Sequence, residues 1–447
     1  MNPRNLAGAA FPLVAVVLVV LATLAPDADP EPARAPGAVA VTQSTYACPA
    51  GSVITVAAGQ VEAGTSGTAS VLPGREPDEA LGGATTWRSA VVDGPGVIVE
   101  QQGAGAVGYF AGTAPKSGGG GLVVGSCSGV VDDSWLLGLG SGNKHFSTII
   151  LTNLAGSPAA VDLTLWGPEG RIDAVNADGI VIAPYSVQRI RLDALAAGES
   201  ELAVHVHRRR GSVSAVVNDT STATFKGTEP ISASLAPSRE QVIGGLVPGT
   251  SGRTLLVLNP GTSTARVDVA VLGPEGTFTP SGLEQIKVPA GTVRAVTVPR
   301  TAGSTAQALR LTSDQPVSST VRMAPTDADY AYAEAAAPLT GPAVVPIELG
   351  ARGSVPQLVL TAPGGAASVE VQAFDASMAP LRSSTVKIPA GTTQVAKLDA
   401  AGAAYAVLTP TGDVVTAATY AAGDGISSLA VTDAPVSVAA PQVRPLG

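Results

Sequence analysis

The sequence predicts an all-β protein: tandem immunoglobulin-like antiparallel β-sandwich domains behind a single N-terminal transmembrane helix. Three observations predict it. The stretch Thr254 to Val298 (TLLVLNPGTSTARVDVAVLGPEGTFTPSGLEQIKVPAGTVRAVTV) has one counterpart upstream, starting at Thr148, and another downstream, starting at Gln357. A self-similar period of about a hundred residues is too long for a solenoid repeat and matches one small domain. Within each copy, apolar residues alternate with polar ones, the signature of a half-buried strand in an antiparallel sheet. Gly (52) and Pro (35) are dispersed among Val, Thr and Ala, which suits many short strands joined by tight turns.

Composition narrows the function classes. Hydrophobic residues make up 45% of the chain and charged residues only 14%, while aromatics reach 4%, so the cores must be built from Val, Leu, Ile and Ala. The net charge of −9 and the lack of a long basic tract exclude nucleic acid as an expected partner.

The first element is apolar. Leu6 to Ala25 (LAGAAFPLVAVVLVVLATLA) carries no charge. As a helix it spans about 30 Å, the thickness of a bilayer core. A cleavable signal has a shorter apolar run, and here Pro26 would follow the best cut after Ala25. Arg4 precedes the span and Asp27, Asp29 and Glu31 follow it, which places the N-terminus inside and the bulk of the chain outside. The expectation is therefore a single-pass cell-membrane protein with residues 1–25 as anchor; the alternative is a signal segment and a secreted product. Residues 26–44, rich in Pro, Ala and acid, form a semi-extended linker.

An N-terminal β domain is expected over 45–134. It contains both cysteines of the chain, Cys48 and Cys127. An even pair outside the membrane is most simply one disulfide. Two thiolates without a nearby His or further Cys do not make a metal site. Ser52 to Ala57, Val97 to Gln101 and Leu122 to Gly125 read as strands between them.

Three sandwich repeats follow over 135–240, 241–342 and 343–447. In their second strands Val161, Leu163 and Leu165, then Val267, Val269 and Val271, then Val369, Val371 and Ala373 share one face. Asp162, Asp268 and Glu370 fall on the other. Gly-Pro-Glu-Gly closes this strand at Gly167 to Gly170 and at Gly273 to Gly276, where Pro presets one turn dihedral and Gly supplies a positive one. VPAGT (Val288 to Thr292) and IPAGT (Ile388 to Thr392) make a second turn. Ala308 to Leu311 and Val317 to Arg322 read as two further strands, separated by Ser313-Asp314-Gln315-Pro316. The strand density is that of a sandwich. A β-propeller is the runner-up, but its blades repeat at roughly 40–50 residues, and no half-period is visible. Trp166, Leu272 and Phe374 occupy equivalent outward positions and are expected to plug a turn or a domain junction.

The candidate chemistry is sparse. His205 and His207, two apart on a strand, share a face and have the spacing of metal ligands. With Val204 and Val206 inward, both are expected to face water, and Arg208, Arg209 and Arg210 would repel a cation, so no metal is expected. Nucleophilic catalysis needs a base-activated Ser or Cys, and there is no G-x-S-x-G elbow. Asp132, Asp133 and Trp135 place acids beside an aromatic, the ingredients of a sugar site. They are the candidates for ligand contact, but a connector with one anchoring Trp is the favoured reading of the stretch. No catalytic, cofactor-binding or metal-binding set is expected, and the protein is read as no enzyme.

Several motifs together resemble a known family. L-x-L-N-P-G at Leu256 to Gly261, V-D-V-x-V-L-G-P-E-G, V-P-A-G-T, S-D-Q-P-V at Ser313 to Val317, Ala47-Cys48-Pro49 and Trp135-Leu-Leu-Gly are similar to repeats of an uncharacterised actinobacterial family of anchored or secreted proteins, domain of unknown function 5719. The third repeat departs from the pattern, with Thr361-Ala362-Pro363-Gly364 in place of Asn-Pro-Gly. The resemblance implies an extracytoplasmic β protein without an assigned reaction, from genes that tend to lie near envelope glycosyltransferases. The expected function is a membrane-tethered, non-enzymatic envelope scaffold or binding protein. Its expected partners are cell-wall polysaccharide or an envelope protein. The alternatives are an accessory subunit of a membrane glycosyltransferase and a glycan-acting enzyme.

Overall fold

Burial along the strand Ala265–Leu272 follows its sequence: Ala265, Val267, Val269 and Val271 are buried, and Arg266 and Asp268 are exposed. The same alternation buries Val161, Leu163 and Leu165, and then Val369, Val371 and Ala373. In the computed structural model, the described residues are 122–434 apart from 223–224, 248–251, 300–305, 325–327 and 348–355, with residue 41 and strands at 37–40, 43–48, 51–60, 67–72, 79–82, 88–94, 97–103, 107–113 and 437–440. They are all-β, with antiparallel pairing throughout the sandwiches and a single 3-10 turn, Leu192–Ala194. No helix among them is long and apolar enough to cross a membrane. The segment Leu6 to Ala25, expected to do so, lies outside the described residues.

The strands form sandwiches of one recurring topology. In the second, Asp133–Leu139, Leu202–Arg210, Ala159–Gly167 and Gly170–Ile172 lie side by side in one sheet. Val187–Arg191, His145–Asn153, Val213–Thr222 and Lys226–Ile231 make the other. Numbering these eight along the chain and setting aside the short Ile180–Ile182, which also pairs with Ala159–Gly167, the orders are first, sixth, third, fourth and fifth, second, seventh, eighth. The fourth sandwich, from Ala343–Pro346 to Gly425–Val431, repeats both orders. So does the N-terminal one, from Gln43–Cys48 to Val123–Ser126, although it lacks the motifs of the later copies.

In an immunoglobulin domain the first strand pairs with the second, and the last with the one before it. Here the second and fifth strands, and the third and sixth, remain neighbours as in that fold. The first strand instead pairs with the sixth, and the seventh with the second. The third sandwich shows why. Its sixth and seventh strands are one continuous strand, Gln307–Met323, rather than the two separated ones that the sequence suggests. Ala308 to Ser313 pairs with Ala265–Leu272 in one sheet, and Ser318 to Met323 pairs with Arg253–Asn259 in the other. Pro316 stands at the crossing between the two ladders, where a residue without an N–H is tolerated.

The sandwiches share cores. Phe110, Leu122 and Val124 of the first belong to the core of the fourth, with Leu358, Val369 and Leu429. Ile426 of the fourth packs into the third. Tyr332, in the last strand of the third (Ala331–Glu334), and Tyr330 just before it are buried in the second. Leu154 of the second meets Ala47 and Ile98 of the first, which closes the circuit. The Cys48–Cys127 disulfide ties the first strand of the first sandwich to the segment just past its last. Apart from this body, Gly37–Ala40 pairs with Ser437–Ala440 as a two-stranded ribbon.

Candidate functional site

The candidate site lies on the outer face of the second sandwich, built by strand register. Antiparallel pairing of Asp133–Leu139 with Leu202–Arg210 sets Asp133 opposite His207 and Trp135 opposite His205. On the other flank, Asp162 stands opposite His207 and Thr164 opposite His205. Directly opposed side chains on one face of a sheet are within contact distance. Three of the residues singled out in the sequence, Asp133, His205 and His207, thus meet.

Asp133 Oδ1 is 2.7 Å from His205 Nε2 and 2.9 Å from His207 Nδ1, so one carboxylate oxygen accepts from two imidazoles. The bond from His207 holds the Asp133 carboxyl below its ordinary range, with a further contribution from His205. His205 does not face water as its place in the strand suggests. Its ring is stacked on Trp135, with centroids 4.0 Å apart and an interplanar angle of 14°. This burial lowers its pKa. His207 is the exposed member of the pair.

Trp135 also lies 5.8 Å from Trp166 in a stacked arrangement. Trp166 packs with Leu137 and Ala203 against Leu256, Leu258 and Val293 of the third sandwich. Both rings therefore serve the junction. Leu272 is likewise at a junction, where its carbonyl accepts from Thr393 of the fourth sandwich, while Phe374 stacks on Tyr405.

Two of the three arginines in the run are paired. Arg208 forms an ion pair with Asp132, and Arg209 one with Asp162. The repulsion of a cation expected from Arg208 and Arg209 is thereby offset. The same pairing sets Asp132 against a cation, while Asp133 faces two imidazoles.

A second polar cluster, not anticipated from sequence, lies where the sandwiches meet. Asp219, fully buried, accepts from His145 Nε2 at 3.0 Å, from Ser147, and from the hydroxyls of Tyr330 (2.9 Å) and Tyr332 (3.0 Å). Glu229, 1% exposed, accepts from Ser427 Oγ of the fourth sandwich, and Ser427 in turn bonds the backbone of Val124 in the first. Asp329 Oδ2 of the third accepts from Ile426 N of the fourth. Burial raises Glu229 well above its ordinary pKa, with the charge of Asp329 adding to the effect, and burial pushes Glu334 up to about 7. One signal was present: Asp219 is in phase with Val213, Ala215 and Val217, and Glu229 with Ile231, so both acids fall on core-facing positions.

Residues 85–399 match the sequence profile of DUF5719, described as a family of unknown function. No curated protein matches the chain.

Proposed function

We infer, from the premise that this chain belongs to the DUF5719 family of unknown function, a role as a non-enzymatic scaffold or binding protein of the cell envelope. In this reading the apolar segment at residues 6–25 tethers it to the membrane, the sandwiches stand outside, and they engage cell-wall polysaccharide or an envelope protein. The observation that carries the reading is the exchange of core residues between sandwiches: Phe110, Ile426 and Tyr332 each fill a neighbour's interior. Sandwiches so interlocked cannot swing independently, and they hold their outer faces and edges in a fixed pattern. That is the property of a scaffold.

Three further facts support it. The disulfide suits an oxidising compartment. Both carboxylates that invited a glycan-acting reading are held in place, Asp132 by Arg208 and Asp133 by two histidines. An edge is also open. Pro380–Ile388 ends its sheet, its side chains are exposed from Pro380 to Thr385, and an extended partner segment can add a strand there.

Crosslinking in intact cells, followed by identification of what is captured, tests the reading. Capture of envelope polysaccharide or of an envelope protein is the expected result. A purified chain that cleaves or transfers a glycan, and loses this on replacing Asp132 and Asp133 with Ala while its circular dichroism is unchanged, would overturn it. Recovery of the chain in the cytosol with free thiols would also do so.

A further inference from the structure

We propose that Asp133, His205 and His207 form a binding site for a divalent transition-metal ion of the zinc class. Two imidazoles and one carboxylate are the donor set of zinc sites that keep a coordination position open. Their ligand atoms all lie within 4.8 Å of one another. In a tetrahedral site with bonds of about 2.0–2.1 Å, ligand atoms stand about 3.3 Å apart. Asp133 Oδ1 is 2.7 and 2.9 Å from the two nitrogens. Closing the set on an ion therefore takes a small outward shift of the exposed Asp133 carboxylate and a turn of the exposed His207 side chain that draws its nitrogen, as much as 4.8 Å from that of His205, nearer to it.

The chemistry of the change is simple. In the metal-free protein the two nitrogens that face Asp133 carry the hydrogens they donate. On binding, each neutral imidazole switches tautomer, its proton moving to the other ring nitrogen, and the freed lone pair takes the ion. The sheet supplies the preorganisation. Asp133 and His207 are direct cross-strand partners, and the Trp135 stack fixes the His205 ring. Arg208 and Arg209 are turned to Asp132 and Asp162, which leaves the Asp133 charge to the cation. A site with two nitrogens and one carboxylate is a poor match for Ca²⁺ or Mg²⁺, which take oxygen ligands. Asp133 and His207 are exposed, so the fourth position opens to solvent, where water or a donor atom of a partner completes the shell.

The test uses the untagged full chain in detergent. Equilibrium dialysis against ZnCl2 should show one tightly bound equivalent. His207→Ala and Asp133→Asn should each weaken it by about tenfold or more, and the His205→Ala/His207→Ala pair should abolish it. Asp193→Asn, remote from the cluster and paired with Arg191, should leave it unchanged. Because Trp135 lies on His205, Cu²⁺ should quench tryptophan emission, and removing the copper with EDTA should restore it. Unchanged circular dichroism of the His207→Ala chain excludes misfolding as the cause of the loss. Zinc uptake by the His205→Ala/His207→Ala chain with the parental stoichiometry, or no uptake by the parent, would overturn the proposal.

Discussion

Asn259, buried to 0% exposure, shows what a single side chain does in this fold. Its amide nitrogen lies within bond distance of the carbonyls of Ser263, Val288 and Pro289, and its oxygen accepts from Gly261 N. Asn153 makes the same bonds in the second sandwich, to Ser157, Ile182, Ala183 and Ala155 N. One side chain thus closes the loop after its own strand and pins the turn before the fifth strand. In the fourth sandwich Ala362 stands there, opposite Thr392 as Asn259 is opposite Thr292, and the neighbouring Thr361 bonds Thr393 Oγ1. Asn259→Ala strands several buried polar groups and should cost about 3 kcal/mol, against about 1 for Thr361→Ala; urea midpoints at constant slope measure both. Gly138 is a second fixed point. Its φ is +87°, and an added Cβ would come within 2.6 Å of the Tyr332 ring. Gly138→Ala should lower the thermal midpoint by several degrees, since the substitution forces both backbone and tyrosine to shift. The Asn-Pro-Gly and Trp-Leu-Leu-Gly motifs were legible in the sequence. What they do was not, because the partners Val288, Pro289 and Tyr332 are distant along the chain.

Strands were the most legible elements, since period-two alternation is local and the cores are made of simple aliphatics. The exception is Gln307–Met323, where Ser-Asp-Gln-Pro has the composition of a turn. Nothing local shows that the chain stays extended while passing from one sheet to the other; only the two partner strands decide it. The topology of the first sandwich was equally hidden, because its pairing is the same as in the later copies while its motifs are not. The disulfide is the most consequential covalent link here. It joins residues 79 apart in sequence. Cys48→Ser with Cys127→Ser should cost about 4 kcal/mol in the chain-entropy account, seen in calorimetry as earlier melting of the first sandwich. The candidate site divides in the same way. Asp133, His205 and His207 were each visible as residue types, but the register that brings them together is a tertiary fact.

Taken whole, the molecule buries carboxyl groups where its sandwiches meet. Glu334 titrates at about 7 and Glu229 well above its ordinary value, because both are buried. Acids whose folded pKa exceeds the unfolded one contribute stability that is complete below about pH 4.5 and is lost as pH rises through about 7. Asp133, Asp162 and Asp375 are shifted the other way, so their contribution is present above their unfolded pKa and lost only on stronger acidification. The thermal midpoint should therefore be higher near about pH 5.5 than near about pH 8. Glu334→Gln should remove much of the difference, a difference of at most about 3 kcal/mol for that residue. Differential scanning fluorimetry across that range measures it. The ribbon of Gly37–Ala40 with Ser437–Ala440 has a separate consequence. Paired strands sit about 5 Å apart, so the two ends of the folded polypeptide leave from the same place. A short peptide bridge between residues 40 and 437, with new termini cut into an exposed loop such as Gly364-Gly365, should give a circularly permuted protein with its architecture intact.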